Sequence, residues 1–341
     1  MKNKKIISIA GLLLLLLRSG ALPALAAGPG DELVPVGETV GIDLLCCGAV
    51  VSGFAEVHTG GSTVCPARDA GVRPGDRITA LDGAAVADGQ DFMAKAAAFT
   101  GESVSLTLCR DGRDLELTVT PVRNDQGLWQ LGLWLRDAIH GVGTVTFYDP
   151  ASGTYGALGH GVGAPESREL LPIAGGSISP TTVADVVPGK AGEPGELCGM
   201  PGEGGALGTV ESNTPQGIFG KWTAPVSGLG TLPVAADEEI RPGPATILST
   251  VDEAGPRAFD AEILRIDRSG GETRQLTISV TDPELLAVTG GIVQGMSGSP
   301  IVQDGKLVGA VTHVLVSDPS KGYGISMENM LKAAGRTPAA A

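Results

Sequence analysis

The feature that ties this chain most tightly to one kind of fold is the run Gly295-Met296-Ser297-Gly298-Ser299-Pro300, which leads into Ile301-Val302 and the turn Gln303-Asp304-Gly305-Lys306. Glycines on both sides of Ser297 let the chain turn tightly, in part through left-handed backbone, and admit another backbone at close range. Such a turn between strands can hold a hydroxyl beside N–H groups aimed at a developing oxyanion. Ser297 is preferred to Ser299 because the Gly-Xaa-Ser-Gly pattern falls on it, and the N–H groups of Gly295 and Ser297 form the expected oxyanion hole. Taken alone, the run reads more readily as an ordinary Gly/Ser turn between two strands. The rest of the chain decides.

The N-terminus opens with Lys2, Lys4 and Lys5, an apolar run from Ile6 to Leu17 ended by Arg18, and the small-residue pattern Ala24-Leu25-Ala26. This is the layout of an export signal, and the run is short for a membrane span. Export across the cytoplasmic membrane is the expectation, with residues 1–27 either cleaved or kept as an anchor through residues 6–17.

The 341 residues leave room for two domains, and 52 Gly and 23 Pro with 4% aromatic residues point to short strands and turns rather than helical bundles. A formal charge of −14 argues against nucleic acid or an anionic membrane as partner. The five cysteines, Cys46, Cys47, Cys65, Cys109 and Cys198, match no zinc spacing. They read as small apolar residues, with room for one disulfide among the first four. No cofactor fingerprint or metal site is expected; the acidic cluster Asp237-Glu238-Glu239 reads as a solvated turn with no His or Cys near it.

Residues 36–122 resemble a PDZ domain. The resemblance rests on Val40-Gly41-Ile42, the strand Ala49-Val50-Val51, the stretch Ala70-Gly71-Val72-Arg73-Pro74-Gly75-Asp76-Arg77-Ile78, a helix over Gln90 to Phe99, and a closing hairpin of Val104 to Leu108 and Leu115 to Thr120. PDZ domains bind an extended peptide as an added strand. By this resemblance Gly41 and Ile42 supply the peptide-binding N–H groups, opposite the helix around Ala94. His58 reads as a polar loop residue.

Beyond Pro121, Leu128 to Leu135 and Gly143 to Tyr148 read as strands, and Tyr155 to Leu158 delivers Gly159-His160-Gly161. A histidine between glycines at a strand end suits a general base. His313, on a strand after the serine loop, could reach the cleft but fits a buried, hydrogen-bonded structural role better, and His140 reads as a turn residue. Pro188 to Gly208 reads as a Gly/Pro-rich surface loop or flap.

These segments, with NTPQGIFG (Asn213 to Gly220), the TDP segment at Thr281-Asp282-Pro283 and AVTHVLVSDPSKGYGI (Ala310 to Ile325), are together similar to the SpoIVB peptidases, the stage IV sporulation protein B serine peptidases. The resemblance implies a mainly β chain: an N-terminal PDZ domain, then a chymotrypsin-like double β-barrel peptidase domain over 123–335, a short helix from Glu328 to Ala334, and a tail at 336–341. It implies Ser297 as nucleophile, His160 as base and Asp282 as the acid, although Asp282 lies closer to the serine than chymotrypsin-type order has it and could instead cap a turn. It further implies self-cleavage in the N-terminal region and cleavage of a membrane-bound regulator of an intramembrane metalloprotease that processes a late sigma factor, in the space between forespore and mother-cell membranes.

Two other readings compete. A non-catalytic PDZ adaptor would need neither His160 nor Ser297. A quality-control protease of the HtrA type carries its PDZ domain after the peptidase domain, the reverse of the order here.

Overall fold

The structure is a computed structural model that describes residues 31–164, 169–225, 230–269 and 273–335. The expected leader over 1–27 and the tail at 336–341 lie outside the described residues.

Two long strands organise the mainly β fold. Thr39–Phe54 and Leu133–Asp149 pair antiparallel from Leu133 opposite Phe54 to Thr144 opposite Thr39, with irregularities at Trp134/Leu135 and Arg136/Ala138. In the first of them Val40, Ile42, Leu44 and Cys46 are buried in alternation, the period of a strand with one face on a core. At Gly48 that pattern stops. Its φ of 83° is left-handed, and a Cβ there would lie 2.7 Å from the Ile78 carbonyl oxygen, so only glycine lets the strand bend. Ala49, Val50 and Val51 then are all buried, because the strand now lies between two cores: Ala49 and Val51 face the second, while Val50 still faces the first.

The two ends of this ribbon belong to different domains. Residues 39–46 and the far half of Leu133–Asp149 join Thr154–Ala157, Gly217–Trp222, Gly208–Thr214 and Ile173–Val187 in a ring of pairings that closes on itself, a six-stranded barrel. Its core holds Val40, Leu44, Val145, Tyr155, Ile178 and Ile218. At the other end, Ala49–Phe54 and Leu133–Leu135 combine with Arg77–Leu81, Val104–Arg110, Arg113–Val119 and the helix Gly89–Ala96 into the PDZ-like unit, whose core includes Val51, Ile78, Phe92, Leu106 and Leu108. The boundary expected at 122/123 therefore does not divide the structure. Residues 36–47 build the barrel, the strand after Leu131 completes the PDZ-like unit, and that unit is inserted between two neighbouring strands of the barrel.

A second barrel closes from Gly243–Ser249, Arg257–Ile266, Leu276–Val280, Lys321–Ser326, Lys306–Val314 and Pro300–Gln303, in that order. Leu33, Phe147 and Phe219 from the first half pack with Leu307, Ile325, Met327 and Leu331 from the second, so an apolar layer joins the two barrels. The last helix, Met327–Ala333, starts where the Ser326 hydroxyl accepts the Asn329 N–H.

Pro188 to Gly208 is more ordered than a surface loop. It contains the strand Glu196–Pro201, paired with the end of Ile173–Val187, and its first turn bonds the second barrel through Gly189 N–H to the Thr289 carbonyl at 2.8 Å. The five cysteines are free thiols among the described residues.

Candidate active site

The strand Thr154–Ala157 ends in Leu158 and Gly159, both with φ near 70°, and this left-handed pair swings His160 toward the second barrel. A Cβ on Gly159 would lie 2.9 Å from Thr312 Cγ2, and one on Gly161 2.5 Å from the Thr214 carbonyl oxygen. Gly159 thus serves close packing between the two barrels, and Gly161 close packing within the first. His160 Nδ1 sits 2.9 Å from the Gly161 carbonyl, which can only accept, so Nδ1 carries the hydrogen and Nε2 is left with a basic lone pair. Burial pushes the imidazole below its usual pKa, and the Gly161 bond opposes this more weakly. The base is neutral at neutral pH.

Ser297 comes from the second barrel. The helix Pro283–Thr289 ends at Gly290, and the following loop carries Gly295 at φ 95° and Gly298 at φ 99°. A Cβ at Gly298 would lie 1.9 Å from the Thr144 carbonyl oxygen, which leaves room for glycine alone. The loop's carbonyls are held from behind. Thr144 donates its N–H to the Ser297 carbonyl (2.9 Å) and its hydroxyl to that of Gly295 (2.7 Å), and the Thr146 hydroxyl donates to that of Gly298 (2.7 Å). Gln294 donates to the Gly195 carbonyl and accepts from Leu197 N–H, so the strap Gly189–Leu197 grips the residue before Gly295. With the carbonyls turned back, the N–H groups of Gly295 and Ser297 have no acceptor among the described residues. That is the geometry an oxyanion hole needs.

Ser297 and His160 line one cleft of about 330 Å³, walled by Ile42, Ile139, Val142 and Leu158 from the first barrel and by Gln294 and Gly295 from the second. The Ser297 hydroxyl donates to the Thr312 carbonyl at 2.8 Å, not to His160, so a turn about its Cα–Cβ bond precedes any transfer to the imidazole. Ser299 is fully buried and bonds Ser249 Oγ at 3.1 Å, a structural position.

Three histidine and acid expectations change. His313 is not a hydrogen-bonded core residue: its ring meets that of His160 with centroids 4.9 Å apart, and its buried Nδ1 has no partner. Burial, the neighbouring His160 and the Arg274 charge push it down to about 4. His140 is not a turn residue but lies in the strand Leu133–Asp149, bonded to Asp43 at the cleft rim. Asp282 is not brought to either histidine. One of its oxygens accepts the N–H groups of Glu284 (2.9 Å) and Leu285 (3.0 Å), the other that of Asp260 (3.3 Å), and the carboxylate caps the helix Pro283–Thr289. Those N–H bonds hold its pKa below the usual carboxylate range, while no carboxylate contributes to the shift at either imidazole.

The peptide-binding positions also move. Gly41 pairs with Val142 on one side and Ser179 on the other, and Ile42 with Gly141 and Ile178, so the strand has no open edge there. Ile42 instead lines the catalytic cleft. An open edge exists at Leu133–Leu135, which pairs only toward Val51–Phe54 among the described residues. It faces the helix Gly89–Ala96 across a groove of about 110 Å³ lined by Phe92, Met93, Ala96, Leu131 and Gly132. Gly132 takes φ 75° and would place a Cβ 2.5 Å from the Ala55 carbonyl oxygen. The signal for this groove was Leu131-Gly132-Leu133, an apolar-glycine-apolar turn opening a strand, which lies after the rest of the unit.

Comparison with known proteins finds a PDZ domain followed by a peptidase domain. The family model described as SpoIVB peptidase S55 matches residues 127–331, and a PDZ domain model matches residues 62–120. Among solved structures, the PDZ domain of an SdrC-like protein from Listeria monocytogenes is similar at 21% identity, covering 26% of this chain and 86% of that one with a TM-score of 0.21. No curated protein matches the chain.

Proposed function

From the premise that this chain belongs to the SpoIVB peptidase S55 family and is a serine peptidase, we propose that it is an exported endopeptidase of sporulation signalling in which Ser297 is the nucleophile and His160 the base. The observation that carries the chemistry is the cleft shared by Ser297, two N–H groups without acceptors among the described residues, and an imidazole whose tautomer leaves Nε2 basic. His160 Nε2 takes the proton of Ser297 as Oγ attacks the scissile carbonyl, and the N–H groups of Gly295 and Ser297 receive the oxyanion. The imidazolium returns that proton to the leaving amine, and a water, deprotonated by the same imidazole, then hydrolyses the acyl-enzyme. The Gly161 carbonyl holds the ring in place during both transfers.

Family membership supports the biological setting: export into the space between forespore and mother-cell membranes, self-cleavage in the N-terminal region, and cleavage of a membrane-bound regulator of an intramembrane metalloprotease. The groove between Leu133–Leu135 and the helix Gly89–Ala96 supports recruitment of a protein segment, since an open strand edge opposite a helix takes an extended peptide. Mass spectrometry of the purified wild-type protein beside Ser297→Ala after incubation tests the reading. Fragments cut in the N-terminal region by the wild type alone are expected. Equal fragments from both proteins would contradict self-cleavage, and normal late sigma-factor processing in a deletion strain would remove the signalling role.

A further inference from the structure

Arg274 stands at the start of the strand Leu276–Val280, exposed, with its guanidinium carbon 5.3 Å from the centroid of the Tyr323 ring. Tyr323 lies opposite His313 in the barrel, and residues directly opposite in a sheet present their side chains on one face. His313 in turn meets His160. The four side chains therefore form a row from the base outward: His160, His313, Tyr323, Arg274.

A second route leads from Arg274 to the nucleophile. The carbonyl of its neighbour Thr273 accepts the Thr312 hydroxyl at 2.8 Å, and the Thr312 carbonyl accepts the Ser297 hydroxyl, also at 2.8 Å. The Arg274 charge is felt at His313, where it helps to lower the imidazole's pKa. Arg68, Arg110, Arg241, Arg257 and Arg265 are each engaged with a carboxylate, whereas Arg274 has none among the described residues. A guanidinium held over an aromatic face, with no carboxylate partner among the described residues and linked to the catalytic base through two aromatic side chains, is a receptor for a carboxylate.

Resting on the serine peptidase reading above, we propose that Arg274 determines specificity by binding an Asp or Glu side chain that flanks the scissile bond, at the outer end of the row that starts from His160. The carboxylate accepts N–H groups from the guanidinium fork, whose contact with the Tyr323 ring limits the freedom lost on binding. A Gln or Asn at the same place leaves the charge unanswered, and a Lys is repelled.

The test uses the full-length protein as wild type, Arg274→Ala and Arg274→Glu, each incubated with a peptide library made by Lys-C digestion of a bacterial proteome. New termini are sequenced by mass spectrometry, and fluorophosphonate labelling of Ser297 is read in parallel for every variant. Wild type is expected to cut beside Asp or Glu about tenfold more often than beside their amides at low salt, a preference that shrinks as salt screens the charge. Arg274→Ala should lose the preference while still labelling, and Arg274→Glu should turn it toward Lys and Arg. The same sequence profile in all three, or a wild type indifferent to acidic residues, overturns this inference alone. No cleavage with Ser297 unlabelled in the wild type removes the peptidase reading and the inference with it.

Discussion

Thr144 holds the nucleophile's loop by both of its polar groups, the N–H on the Ser297 carbonyl at 2.9 Å and the hydroxyl on the Gly295 carbonyl at 2.7 Å. Thr144 belongs to the strand Leu133–Asp149, whose other end is the open edge of the peptide groove. The same strand thus borders the groove, lines the cleft at His140 and Val142, and fixes the serine turn. Thr144→Val keeps the shape and the N–H bond but leaves the Gly295 carbonyl unsatisfied in a buried place. It should cost about 1–3 kcal/mol and lower kcat more than it raises KM, because the change falls on the oxyanion donors. Thr144→Ser should recover most of both. Denaturant titration and steady-state kinetics on a cleaved peptide check it.

Asp282 separates a cap from a triad acid. Asn caps a helix about as well as Asp, whereas Ala costs roughly 0.5–2 kcal/mol. Asp282→Asn should therefore retain activity within a few-fold, and Asp282→Ala should lose stability with a modest fall in rate. A loss of orders of magnitude in Asp282→Asn would place the carboxylate on the imidazole during catalysis, where Asn imposes the wrong tautomer.

The histidine pair fixes the response to acid. His313 is pushed down to about 4 and His160 is lowered as well, so in the folded protein both stay neutral below the ordinary histidine value of 6.5. The unfolded chain takes up these protons first. Stability should fall as pH drops below 6.5, and the His313 share of that fall should be complete once pH is below about 4. The acidic limb of the rate profile should likewise lie below 6.5. NMR titration of the imidazole carbons should give His313 a midpoint near 4, and the same titration in His160→Gln should move it upward, because the repulsion between the two imidazoles as they protonate is gone.

The PDZ-like unit has its own anchor. Asp76, from the Pro74-Gly75-Asp76 turn, is 1% exposed and accepts both Nε and an Nη of Arg110 at 2.6 Å, as well as the Arg73 N–H at 2.8 Å. Arg110→Ala leaves a buried carboxylate without its cation. It should destabilise the unit by about 3 kcal/mol, visible as loss of a thermal transition, and Arg110→Ala combined with Asp76→Asn should restore part of it.

Local chemistry made some of this legible in the sequence and long-range pairing hid the rest. That Ser297 and His160 would face one cleft could be read from glycines at both places, and the PDZ-like helix and hairpin followed from period and turn residues. Gly41 and Ile42 misled because an apolar-glycine strand looks the same whether its edges are open or covered, and the covering strands are supplied by Gly141–Val142 and Ile178–Ser179, about a hundred residues or more away. Nor does a hydrophobic pattern announce that one strand serves two cores. The stretch Pro188 to Gly208 read as loop because it is glycine-rich, yet its glycines mark close approaches: a Cβ on Gly195 would lie 2.1 Å from the Val187 carbonyl oxygen. Asp282 was ambiguous for a simpler reason. Thr-Asp-Pro begins a capped helix as readily as it supplies an acid.

The central claim is that Ser297 is a nucleophile served by His160, and fluorophosphonate labelling followed by peptide mass spectrometry tests it most directly. The wild-type protein should carry the label on Ser297, Ser297→Ala none, and His160→Ala should label at least about a hundredfold more slowly, the share general-base help contributes. An unlabelled Ser297, or labelling at an unchanged rate in His160→Ala, would contradict the account.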